Sequence, residues 1–93
     1  MTAACRLSIH GRVQGVYYRG WMVAAARGLR LAGWVRNRRD GTVEALVQGE
    51  PGALERLIAL ARQGPPAALV ERVEVDDVDP DASLTDFTQR PTA

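Results

Sequence analysis

Gly33-Trp34-Val35-Arg36-Asn37-Arg38-Arg39-Asp40-Gly41-Thr42-Val43-Glu44-Ala45-Leu46-Val47 carries two β-rich runs, 33 to 37 and 42 to 47, around a polar turn. Asp40-Gly41 supplies the positive φ that a tight hairpin requires, so the two runs predict antiparallel strands. Upstream, Met22, Ala25, Ala26 and Leu29 recur at i, i+3, i+4 and i+7 and predict a helix over about 19–30. Downstream, Pro51 suits a first helical turn, and Leu54, Leu57, Ile58 and Ala61 repeat the stripe until Gly64-Pro65-Pro66 stops it, giving a second helix over about 51–63. Outside these lie two further strands. In 5–12, Cys5, Leu7 and Ile9 alternate with Arg6, Ser8 and His10; in 69–79, Val70, Val73, Val75 and Val78 form a β-branched run closed by Pro80-Asp81. A short piece near Phe87 is a further candidate strand. The order β-α-β-β-α-β is the split βαβ arrangement, a ferredoxin-like α+β sandwich with two helices on one face of a four-stranded antiparallel sheet.

Length and composition limit what such a chain can be. Its 93 residues predict one domain over 1–93, with one core and one site and no separate cofactor domain. No apolar run approaches the ~20 residues of a membrane span, and the N-terminal stretch lacks a secretory signal, so the expected location is cytoplasmic. Cys5 is the only cysteine and His10 the only histidine, which excludes an internal disulfide and His- or Cys-rich metal centres. No carboxylates stand in a recognisable ligand spacing, so an enzyme built on this chain is expected to work without metal or cofactor. The net charge of +1 hides an asymmetry: residues 1–41 hold eight Arg and one acid, residues 42–93 four Arg and ten acids. The first part suits an anion, although charges on solvated faces that meet in space give the same count.

The segment Gly15-Val16-Tyr17-Tyr18-Arg19 ends a glycine-bearing loop where the first helix begins. The first amides of a helix lack intrahelical partners, and with the positive end of the dipole they favour an anion that glycine lets approach the backbone. Arg19 adds a planar, permanently charged fork that matches two phosphate oxygens. The bland alternative is a turn shaped by Gly11 and Gly15 beside a solvated Arg19. Asn37 is poor strand material among Arg36, Arg38 and Arg39. Its amide can orient a water but cannot act as a general base; the bland alternative is an asparagine satisfying backbone groups at a hairpin end. His10 falls on the side of its strand away from the core and reads as an exposed strand histidine. Cys5 reads as a small core residue, and Trp21 and Trp34 as packing residues. Tyr17 and Tyr18 suit either packing or the mouth of a site.

Taken together, Ile9-His10-Gly11-Arg12-Val13-Gln14-Gly15-Val16-Tyr17-Tyr18-Arg19 and the stretch from Gly33 to Val43, closing at Gly49, resemble the two signature segments of the acylphosphatase family. The resemblance runs from about residue 5 to Phe87. It implies the ferredoxin-like fold, and it implies hydrolysis of acyl phosphates to a carboxylate and inorganic phosphate by metal-free water attack at phosphorus. It places the catalytic arginine at Arg19, the catalytic asparagine at Asn37 and the phosphate cradle on backbone amides of about Gly15, Val16, Tyr17 and Tyr18 through Arg19. It departs from the family at Tyr18, usually Phe, at Gly20, where a larger residue is common, and in the ending Phe87-Thr88-Gln89-Arg90. The expected partners are a small acyl phosphate and inorganic phosphate, with no nucleic acid and no membrane, on a monomer. Two rivals keep the fold: a non-catalytic module for carbamoyl phosphate or another anion, and a nucleic-acid binder, which the scarcity of strand aromatics disfavours.

Overall fold

The computed structural model describes residues 1–93. Five strands and two helices follow in the order β1 (Ala3–Arg12), α1 (Tyr18–Gly28), β2 (Ala32–Asn37), β3 (Val43–Gly49), α2 (Pro51–Gln63), β4 (Leu69–Val78) and β5 (Phe87–Gln89). Helix α1 stops two residues before the predicted end, because Arg30 takes a left-handed φ of 58° and closes the helix. Helix α2 matches its predicted span, with Pro51 at its start and Gly64 beyond its end.

The sheet is mixed, in the order β4-β1-β3-β2-β5, which corrects the expectation of four purely antiparallel strands. The added strand β5 runs parallel to β2, pairing Gly33 with Phe87 and Val35 with Gln89, and it inserts the fully buried Phe87 into the core. Beyond β5 the chain keeps to the same edge: Arg90 donates its amide to the Val35 carbonyl at 2.8 Å, and Ala93 to that of Asn37 at 3.1 Å.

Alternation sorts the strand residues as expected. Cys5, Leu7 and Ile9 of β1, with Val43, Ala45 and Val47 of β3, face the helices and are buried with Met22, Ala26, Leu57 and Ala61. Tyr18 belongs to the same core, and its hydroxyl donates to the Ala61 carbonyl at 2.7 Å, tying α1 to α2; burial pushes its phenol pKa up. The other face of the sheet is polar. There Trp34 is not a core residue but carries the guanidinium groups of Arg36 and Arg90 over its ring, 4.7 and 4.9 Å from the ring centre. His10 is also less exposed than its strand position suggested, with Nε2 2.6 Å from Glu74 Oε1. No helix is long and apolar enough to cross a membrane.

Cys5 pairs with Asp77 in the β1–β4 register, and burial, with that carboxylate adding, raises its thiol pKa to about 11. The native thiol should therefore react with a disulfide reagent at neutral pH about 10²-fold or more slowly than the unfolded chain. Comparing labelling rates with and without denaturant checks this, and equal rates would contradict it.

Candidate active site

Strand order brings the two singled-out segments together. β1 and β2 are each antiparallel to β3, which lies between them, so they run parallel and their C-terminal ends share one edge of the sheet. Ile9 and Asn37 accordingly flank the same residue, Val43. The loop after β1 and the hairpin after β2 thus meet above that edge, and β5 ends there with Gln89. A cavity of about 210 Å³ opens between them, with Arg19, Asn37 and Gln89 on its walls and Gly15, Tyr17 and Tyr18 from the loop.

The loop presents unspent backbone donors. Gly15 has φ 73° and Tyr17 φ 66°, so the chain turns twice through the left-handed region, an arrangement in which successive amides point into one concavity. The first backbone amide from this region with a carbonyl partner is that of Trp21, which donates to Tyr17; those of Gly15 through Gly20 donate to no protein acceptor. No side chain caps the N-terminus of α1 and no acidic residue stands in its first turn. An uncapped helix start with free amides and the positive end of the dipole favours an external anion. Gly11, by contrast, belongs to β1 at the irregularity in its pairing with β4, where a side chain would strike the Leu69 carbonyl, so its glycine serves the sheet.

Arg19 is set apart from the other arginines by being half-buried and yet without a partner. Of the twelve basic residues, only Arg19 and Arg36 are half-buried, and the others are exposed. Arg36 is paired with Glu44 at 2.7 Å and stacked on Trp34. Arg19 forms no ion pair and no hydrogen bond with the protein, yet it lines the cavity. A half-buried guanidinium without a carboxylate is the natural counterpart of a ligand anion.

Asn37 closes β2 one residue before the turn, and its side-chain Oδ1 is buried with no protein hydrogen-bond partner. A buried acceptor left unpaired costs about 1–3 kcal/mol, so such groups normally have a partner. A turn asparagine would bond the local backbone with this oxygen. Here the turn is held by Asp40 instead, whose Oδ1 accepts from the Thr42 amide at 3.0 Å and from its hydroxyl at 2.6 Å. Those bonds, the side-chain one foremost, hold the Asp40 carboxyl below its ordinary pKa. The flanking Arg36 and Arg38 both bind the buried Glu44, at 2.7 and 3.3 Å, which fixes the hairpin around Asn37.

Among the predicted cradle residues, Gly15, Tyr17 and Tyr18 border the cavity, whereas the Val16 side chain packs on the core. Tyr18 buries its ring and Tyr17 exposes its own. Two participants were not singled out from the sequence. Gln89 comes from the three-residue β5, and Gln14 lies inside the quoted motif without a local reason to act. Gln14 Nε2 donates to the carbonyls of Arg38 at 2.7 Å and Thr42 at 2.9 Å, so one side chain fastens the loop to the hairpin that carries Asn37. Gln14→Ala should lower stability by about 1–2 kcal/mol and reduce kcat more than phosphate affinity, as read from denaturation and inhibition kinetics. An unaffected kcat would show that the bridge does not set the geometry. No group of three or more His, Cys, Asp or Glu side chains is placed to hold a metal ion.

The chain is similar in sequence and fold to known proteins. The sequence model of the family described as acylphosphatase matches residues 5–89. The chain is 58% identical over 86 residues to an acylphosphatase of Acidovorax sp. (strain JS42), a match covering 92% of this chain and 88% of that one. The crystal structure of acylphosphatase from Bacillus subtilis superposes with a TM-score of 0.91 at 33% identity, covering 97% of this chain and 99% of that chain. Full-length HypF, in a phosphate- and nucleotide-bound form, contains a similar unit, with a TM-score of 0.89 at 26% identity over 99% of this chain but only 12% of its own length. By sequence along nearly its whole length and by fold, the chain belongs to the acylphosphatase family.

Proposed function

We propose that this protein is a hydrolase of acyl phosphates, and that Arg19 and Asn37 carry the reaction. One observation supports the reading above all: a single cavity gathers free loop amides, an unpaired half-buried guanidinium and a buried, unbonded carboxamide oxygen. The buried oxygen is costly to leave unpartnered, and a phosphoryl group with an attacking water satisfies all three at once.

In this mechanism the amides of about Gly15 to Arg19 and the Arg19 fork hold the phosphoryl oxygens. Asn37 Oδ1 accepts a hydrogen bond from a water and aims its oxygen at phosphorus. The water oxygen bonds to phosphorus as the bond to the acyl oxygen breaks, and the carboxylate leaves with the electron pair. A water proton passes to a phosphate oxygen, so the products are a carboxylate and inorganic phosphate. A carboxylate is a stable leaving group and the transition state is loose, so positioning and charge stabilisation are sufficient and no side-chain base is required. Asn37 cannot be such a base, and His10, held by Glu74 on the far face of the sheet, is not placed to be one.

The test is phosphate release from acetyl phosphate and benzoyl phosphate, followed with and without EDTA. Equal turnover in both is expected, because the donor set offers no metal cluster. Activity lost to EDTA and restored by magnesium would overturn metal independence; phosphate binding without any turnover would overturn the hydrolase reading in favour of a binding module.

A further inference from the structure

Four large apolar side chains are exposed, Met1, Tyr17, Leu69 and Val75, and only Tyr17, 76% exposed, stands on the wall of the cavity. Its placement runs against two local preferences. A tyrosine at φ 66° and ψ 23° occupies a region that side-chain-bearing residues seldom adopt, and Gly20, in the first turn of α1, weakens the helix relative to alanine. The two features explain each other. A Cβ on Gly20 would lie 2.5 and 2.6 Å from two ring carbons of Tyr17 and 2.9 Å from its hydroxyl oxygen, so the glycine is the seat on which the ring rests. The ring is thereby held beside the mouth instead of turning away into solvent, and it has no role in the core, where Tyr18 already packs.

Resting on the hydrolase reading, we propose that Tyr17, seated on Gly20, recognises the acyl group and selects acyl phosphates with an aromatic acyl part over small aliphatic ones. With the phosphoryl group held by the amides and the Arg19 fork, the acyl group is left to project past Tyr17. The exposed ring is the apolar surface it meets there. A flat aryl group covers that ring and gains offset or edge contact, whereas a methyl group covers little of it.

Acyl phosphonates, which have a non-hydrolysable P–C bond, separate recognition from turnover. Dissociation constants of benzoylphosphonate and acetylphosphonate are compared for the unaltered chain, Tyr17→Phe, Tyr17→Gly and Gly20→Ala, beside kcat/KM for benzoyl and acetyl phosphate. The unaltered chain should prefer the benzoyl compound. The preference should persist in Tyr17→Phe and fall about 3- to 10-fold in Tyr17→Gly, where glycine suits the positive φ and only the ring is lost. Gly20→Ala should cause the same fall with thermal stability kept or raised, because the added methyl displaces a flexible ring and favours the helix. A preference unchanged in Tyr17→Gly overturns the recognition role, and one unchanged in Gly20→Ala overturns the seat. Both results leave the hydrolase reading intact if acetyl phosphate is turned over. A chain that binds neither phosphonate and hydrolyses neither substrate fails the hydrolase reading, and this inference with it.

Discussion

Arg19→Lys should fold as the unaltered chain does and yet lose about 10²- to 10³-fold in kcat/KM, with a matching rise in the inhibition constant for inorganic phosphate. The reason lies in what Arg19 lacks: it holds no carboxylate and no protein hydrogen bond, so no ion pair or hydrogen bond of the fold is lost when it changes. Lysine keeps a positive charge but replaces a planar fork with a single point, and the two-oxygen grip on the phosphoryl group goes with the fork. Arg19→Ala extends the test. It removes an unpaired half-buried charge, so thermal stability should hold or rise while phosphate inhibition is nearly abolished. Unchanged competitive inhibition by phosphate in either variant would return Arg19 to a solvated helix residue.

Asn37 should separate binding from turnover. Asn37→Ala deletes an oxygen that bonds nothing in the protein, so melting temperature and phosphate affinity should stay close to those of the parent. Its kcat should fall by about 10² or more, because a nucleophile displaced by ~1 Å can lose that much. Asn37→Asp discriminates further. It keeps an acceptor but sets a negative charge beside a bound phosphate and removes the amide donors, so both affinity and rate should suffer. A merely structural asparagine at a hairpin end predicts the reverse, with Asp the mildest replacement because it also suits turns. Measuring kcat, phosphate inhibition and thermal stability for both variants decides between them, and a fully active Asn37→Asp protein would end the catalytic assignment.

Much of this is legible in the sequence, and the exceptions share a cause. The helices and long strands carry their own period: Leu54, Leu57, Ile58 and Ala61 mark α2 wherever it packs, and Cys5, Leu7 and Ile9 mark the inner face of β1. The three residues of β5 have no period to read. They become a strand only because Gly33 to Val35 offers an open edge, and that edge made the sheet mixed. Trp34 reads as a packing residue, and it does pack, but against Arg36 and the distant Arg90 instead of the core. The site divides in the same way. Arg19 and Asn37 stand out by residue type and by the family resemblance, while their meeting depends on β3 running between β1 and β2. Gln14 shows no local purpose because the carbonyls it binds lie 24 and 28 residues away. Tyr17 and Tyr18, adjacent in sequence, part company only because the first is left-handed and rests on Gly20 while the second enters the core.

The central claim is that water, placed by Asn37 and drawn to a phosphoryl group held by Arg19, attacks phosphorus. Hydrolysis of acetyl phosphate in water enriched in heavy oxygen tests it most directly, with mass analysis of both products after a single turnover. The account predicts the label in inorganic phosphate and none in acetate. Label in the acetate would mean attack at the carbonyl carbon and would contradict it.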